Sequence, residues 1–377
     1  MYQGKRSALA NIMNAVAHNF DLPYNSYGVN LPQSKHYVLC LIDGLAYQSF
    51  LEHKTSTSFL STCNKVSSLR SGFPSTTASC LTSLATGLDA IEHGIVGAAF
   101  QHNERCFSSL RWCYLTSNES KHKENIIPSI TIPYGIWDCL KEHNINVNAI
   151  IPIDISTSVF TSKVFSAAKI YGYKDFSEVT SMVEEVLKRK EKSFTYIYFG
   201  NLDLIGHIFG VDSQEWKDEY LYLDSCIKKI HRSLIEKATL LVTADHGMVN
   251  VNQNNMINFN EIPALTEQTN LICGDIRARH IYLKPAFRDN ILIDNWNEHL
   301  GNNFLILKKE EAIKTGLFGV NRNEENEGRI GDLIVISRGQ YGLINSGSIF
   351  DQYQSSWIGH HGANSEKEQL IPLLIWN

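Results

Sequence analysis

Residues 37–44 read YVLCLIDG and residues 239–247 read TLLVTADHG. Each is a continuous apolar run, rich in β-branched residues, that ends on an aspartate. Continuous apolarity without alternation marks a strand covered on both faces. The same grammar recurs in NVNAII (146–151), FTYIYF (194–199) and LIPLLI (370–375). Between these runs lie stretches of helical period: Ser7–Asn19, Thr77–Thr86, Gly135–Glu142, Ser177–Arg189 and Trp216–Glu236. The last carries Tyr220, Leu223, Ile227, Ile230 and Leu234 on one face. Strand and helix in alternation predict an α/β fold, a mostly parallel sheet with helices on both faces.

Two segments interrupt the alternation. Residues 98–130 are polar and include His102, Lys121, His122 and Lys123, so they are expected to form a surface insert. Residues 265–345 resume strand signals at Ala278–Leu283 and Asp332–Ser337 around the turn NRNEENEG (321–328), and are expected to form an inserted cap subdomain. The final strand then completes the main sheet.

Composition narrows the functional class. The chain has 377 residues, 43% of them hydrophobic and 19% charged, which suits a globular domain with a large core. A net charge of −5 gives no whole-chain attraction for nucleic acid. No apolar run reaches the roughly 18 residues needed to span a bilayer. Asn11, Asn14 and His18 break up the N-terminal segment, so no signal peptide is read there and a cytoplasmic location is expected. The eight cysteines form no C-x-x-C pair and are read as buried or free thiols.

The chemistry gathers at the strand ends. Asp43 follows the first run. Asp203 and His207, four apart, follow the run at 194–199, and Asp245-His246 follows the run at 239–243. Gly359-His360-His361-Gly362 precedes the last run. In an open α/β sheet the carboxyl ends of the strands form the ligand crevice, so these groups converge. Three carboxylates and three imidazoles supply two transition-metal ions, and the imidazoles favour zinc over magnesium. FPSTT (73–77) adds a hydroxyl at a helix start, where free N–H groups and the helix dipole favour a phosphate. Either Thr76 or Thr77 could supply it. A hydroxyl activated by a metal can form a covalent intermediate, and two metals can bracket an in-line phosphoryl displacement.

The segments YVLCLIDGLA, FPSTTASCLTSLATGLDAIEHGIVG, LDLIGHIFG, VTADHGM and GHHGANSEKEQLIPLLIW together resemble the type I phosphodiesterase/nucleotide pyrophosphatase family of the alkaline phosphatase superfamily. IWDCLKEHNINV, GDIRARHIYL and GDLIVISRG resemble soluble bacterial members. The resemblance implies an alkaline-phosphatase-like catalytic domain over residues 1–377. It implies one metal site of Asp203, His207 and His361, and a second of Asp43, Asp245, His246 and the nucleophile oxygen. Spacing to Gly87 within the family pattern selects Thr77 as nucleophile and leaves Thr76 to support the loop. The implied cofactors are two Zn2+ per chain, with Mn2+ or another divalent transition metal as substitutes. The implied substrate is a small phosphodiester or nucleotide. One position departs from the pattern: Cys80 stands where nucleotide-cleaving members carry an asparagine donor, and Arg70 or the amides of Thr77 and Ala78 are the candidate substitutes. His93 is expected to be structural, and His360 to support the ligands from behind or to pack beside them. The rival readings are a phosphomonoesterase or phosphonate hydrolase of the same superfamily, and a non-catalytic metal-dependent phosphoryl-binding protein.

Overall fold

The computed structural model describes residues 8–115, 127–189, 191–234, 238–288 and 293–377. The strands of its two larger sheets, in chain order, are β1 (His36–Ile42), β2 (Lys65–Arg70), β3 (Asn146–Pro152), β4 (Lys169–Tyr173), β5 (Ser193–Phe199) and β6 (Thr239–Thr243). They continue as β7 (Thr269–Asp275), β8 (Ala278–Leu283), β9 (Phe304–Lys308), β10 (Leu333–Ser337) and β11 (Leu370–Trp376). Four helices matter below: α1 (Ala8–Asn19), α2 (Thr77–Thr86), α3 (Asn201–Phe209) and α4 (Gln214–Leu234).

Seven strands form the central sheet in the order β2-β11-β6-β1-β5-β3-β4. β1 lies at its centre, parallel to both β5 and β6, and all seven of its residues are buried, so both faces of the sheet are covered. The chain is thus α/β with a mostly parallel sheet. β11 is the exception: it runs antiparallel to β6 and to β2. That reversal decides the site. Because β11 is reversed, its start lies at the edge where β1, β5 and β6 end, and the loop before it delivers His361 there. The two outer strands, β2 and β4, are half-exposed and carry polar residues, as sheet edges do.

Residues 98–115 form a small antiparallel sheet of Ala99–His102, Arg105–Ser108 and Cys113–Tyr114. Phe100, Phe107 and Trp112 are buried in the main core, so this stretch is anchored rather than merely superficial. Lys121, His122 and Lys123 lie outside the described residues. Within 265–345, β7, β8, β10 and β9 pair in that order into an antiparallel sheet over a separate apolar cluster that includes Phe259, Trp296 and Leu333. Two buried arginines lock this sheet down. Arg277 makes a two-pronged pair with Glu368, at 3.1 and 2.8 Å, and Arg279 pairs with Asp351.

Two buried histidines join the layers as neutral rings. His93 Nδ1 accepts from the Ile95 N–H (3.1 Å) and its Nε2 faces the Ser83 hydroxyl (3.0 Å). His280 on β8 accepts from the Gly331 N–H and gives its Nε2 proton to the Val96 carbonyl. Burial pushes His93 down to about 3 and His280 to about 4. Both titrate near 6.5 once unfolded, so their stabilisation is complete above that pH and is lost progressively as pH falls towards 4. Urea midpoints measured at pH 7 and pH 5 should therefore differ, the acid value being lower by roughly 1 kcal/mol per histidine per pH unit below 6.5.

Candidate metal centre

α2 begins at Thr77, and Thr76, in extended conformation, is the residue before it. A cis Phe73–Pro74 bond and the contact of the Thr76 N–H with the Pro74 carbonyl shape the approach. Thr76 makes no side-chain cap. Its hydroxyl turns instead to the carboxyl of Asp275, at the end of β7. Thr77 points the other way, into the crevice. Its Oγ1 lies 3.1 Å from His246 Nε2 and 3.4 Å from Asp43 Oδ2.

Around this hydroxyl stand the six other residues read from the sequence. His207 Nε2 is 3.2 Å from Asp203 Oδ2, and His361 Nε2 is 3.8 Å from Asp203 Oδ1. His246 Nε2 is 3.4 Å from Asp43 Oδ1 and 3.5 Å from Asp245 Oδ2. Ligand atoms of Asp203, His207 and His361 lie within 4.8 Å of one another, as do those of Asp43, Asp203 and His246. Asp203 belongs to both groups. The i, i+4 spacing of Asp203 and His207 puts both on one face of α3.

The donor set fits metal ions. All three histidines have Nδ1 against a backbone carbonyl: Gly359 for His207 (2.7 Å), Gly247 for His246 (3.2 Å) and Ser75 for His361 (2.9 Å). An Nδ1–H held in this way leaves the Nε2 lone pair facing the crevice, the tautomer a metal requires. Asp43 Oδ1, Asp203 Oδ1 and Asp245 Oδ2 are buried with no hydrogen-bond partner. Burial, then the charges of Asp245 and Asp203, push Asp43 well above the carboxylate range, and burial pushes Asp245 up to about 7. Asp203 is held low despite burial because His207 and His361 face it. Carboxylates this crowded are costly to ionise without a cation, which would satisfy all three orphaned oxygens together.

Sequence reasoning missed the supporting shell. The Tyr198 hydroxyl on β5 donates to Asp43 Oδ2. Its signal was faint, since it sits inside an apolar run, though one position from the strand's end. Tyr198→Phe should weaken the binding of a divalent metal ion about 10- to 100-fold, the usual cost of removing a group that orients a ligand; titration against a competing chelator measures it. Ser75 knits the loop before α2 to the His361 loop, its Oγ donating to the Ala363 carbonyl (2.7 Å) and accepting from the Gly362 N–H (3.2 Å). Glu368 accepts from Arg277, the Ala363 N–H and Ser365 Oγ, bracing the same loop.

Other expectations sort clearly. Cys80 is buried with its thiol towards the Pro74 carbonyl, 3.9 Å away. Arg70 is exposed on β2. The first-turn amides of α2, which have no intrahelical partner, are therefore the donors that remain for a phosphoryl oxygen. His360 gives Nε2 to the Trp357 carbonyl and stands in neither ligand group.

The carboxyl edge of a mostly parallel sheet thus gathers three aspartates, three histidines and a helix-start threonine into one candidate metal centre. Residues 37–363 match the family described as type I phosphodiesterase/nucleotide pyrophosphatase, and the chain belongs to that family. Among characterised relatives, the ectonucleotide pyrophosphatase/phosphodiesterase family member 7 of Mus musculus is 28% identical over 213 residues, covering 52% of this chain and 45% of its own length. That of Rattus norvegicus is 33% identical over 109 residues, covering 26% and 24%. The chain thus spans less than half the length of either. Murine and human ectonucleotide pyrophosphatase/phosphodiesterase 5 share the fold, each with a TM-score of 0.66, at 18% and 16% identity. They cover 89% and 90% of this chain, and 87% of their own in both cases. A further structure, at 17% identity and TM-score 0.66, is an inactive variant of the murine protein in complex with AMP, covering 89% of this chain and 87% of its own.

Proposed function

We propose that this chain is a metal-dependent phosphodiesterase of the nucleotide pyrophosphatase type, working through a covalent threonine intermediate on a two-zinc site. The observation that carries the reading is the place of Thr77 Oγ1. It stands at the first turn of α2 and within 3.4 Å of both Asp43 and His246. Asp203, His207 and His361 would hold one ion; Asp43, Asp245, His246 and Thr77 would hold the other. Bound there, the ions would lower the hydroxyl's pKa and offset charge on the phosphoryl oxygens.

The chain's own groups do the rest. Asp43 accepts the Thr77 proton, and Oγ1 forms a bond to phosphorus as the bond to the leaving oxygen breaks. The α2 amides receive a non-bridging oxygen. Water then attacks phosphorus, the Oγ1–phosphorus bond breaks, Asp43 returns its proton to Oγ1, and the proton lost by the water goes to solvent or to the leaving oxygen. The AMP complex of the murine relative makes a nucleoside monophosphoryl group a suitable substrate half.

The test is a panel with added zinc: p-nitrophenyl phosphate, bis-p-nitrophenyl phosphate and the p-nitrophenyl ester of thymidine monophosphate. With Cys80, a poor donor, where nucleotide-cleaving members carry asparagine and a net charge of −5, little offsets the extra charge of a monoester dianion, so diesters should turn over faster. A monoester preference of about tenfold, or about 1.4 kcal/mol, would replace this reading with a phosphomonoesterase. Turnover of none of the three would favour a binding protein.

A further inference from the structure

We propose that Cys106 and Cys273 are a redox-active pair that closes to a disulfide by exchange with a small-molecule disulfide, stapling β7 to the hairpin of residues 99–108. Cys273 lies on β7, 2% exposed, and Cys106 lies partly exposed on the strand Arg105–Ser108. Cys106 packs against Cys273 in a small apolar cluster with Ala99 and Tyr282, and the two thiols are close enough to act on each other's ionisation. Both are free thiols, so closing them requires only loss of hydrogen and approach to a bond of about 2.05 Å.

The frame around them is fixed. Gln101 is the cross-strand partner of Cys106, and its N–H donates to the Tyr282 hydroxyl at 2.7 Å. Tyr282 is on β8, where His280 is the cross-strand partner of Cys273 and is itself bonded to the Val96 carbonyl. Two hydrogen bonds therefore tie β8, the neighbour of β7, to Val96 and to Gln101, the neighbour of Cys106 in the hairpin. The pair also sits at a consequential position: β7 ends two residues on, at Asp275, which meets the Thr76 hydroxyl beside the nucleophile loop.

Exposure sets the order of events. The Cys106 thiolate attacks a sulfur of oxidised glutathione and releases one glutathione thiolate. Cys273 then attacks the Cys106 sulfur of the mixed disulfide, releasing the second. Two protein thiols are oxidised, and one glutathione disulfide becomes two glutathione thiols, which carry the two hydrogens the protein thiols give up. Burial and the neighbouring Cys106 push the Cys273 thiol well above its ordinary range, so the second step is the slow one and accelerates with rising pH.

The test treats the folded full-length chain with oxidised glutathione, quenches with acid, and reads intact mass and linked peptides. Wild type should become lighter by two hydrogen atoms, with the 106 and 273 peptides joined. Its thiol titre in denaturant should fall from eight to six. Cys273→Ser should stop at a stable glutathione adduct on Cys106, and Cys106→Ser should resist modification at 273. Wild type that ends as a lasting adduct on Cys106, stays fully reduced, or joins other cysteines would overturn the proposal. Because wild type alone decides it, a variant that fails to fold leaves the conclusion intact, and hydrolytic activity plays no part in the readout.

Discussion

Thr77→Ala should abolish hydrolysis by roughly 10^4-fold or more, the scale seen when a covalent nucleophile is deleted. It should do so without unfolding the chain, because alanine is the better helix former at the start of α2 and the change removes one hydroxymethyl-sized contact from the crevice. Asp43, Asp245 and His246 remain to hold metal there. Zinc content should thus persist while turnover disappears. Thr76→Ala separates the neighbours: its hydroxyl faces Asp275 and makes no helix cap, so most of the activity should remain. Assay of both variants on the same diester, with zinc measured on the same samples, checks the register. An active Thr77→Ala would show that the wrong threonine has been assigned.

Asp203→Asn is the second large effect. The substitution nearly preserves shape, yet it removes the one carboxylate that faces both His207 and His361 and belongs to both ligand groups. The outcome expected is loss of about one zinc ion per chain and a fall in turnover of about a thousandfold, equivalent to about 4 kcal/mol of transition-state stabilisation. Circular dichroism should be unchanged. A variant that keeps both ions and its rate would remove Asp203 from the centre.

How much of this could be read from the residues depended on range. The strands that carry the site are continuous apolar runs, and those signals are local, so β1, β3, β5 and β6 fall where the sequence put them. The six ligand candidates were legible because each sits within nine residues of such a run. The edge strands β2 and β4 were not, because half-exposed strands such as KVSSLR mix polar and apolar residues without a clean period. The supporting shell was invisible for a different reason. Asp275 meets Thr76, and Arg277 meets Glu368, across long chain separations, and nothing near either partner announces the other. Thr76 shows the same limit in miniature: its loop-supporting role was expected, but the partner of its hydroxyl was not.

The claim beneath all of this is that one edge of the sheet is a two-metal centre built on Thr77. Anomalous diffraction at the zinc absorption edge, on crystals of the zinc-loaded chain, tests it most directly. Two peaks about 4 Å apart are expected, one among Asp203, His207 and His361, the other among Asp43, Asp245, His246 and Thr77 Oγ1. No peak at this edge, or a single ion bound to other residues, would contradict the account.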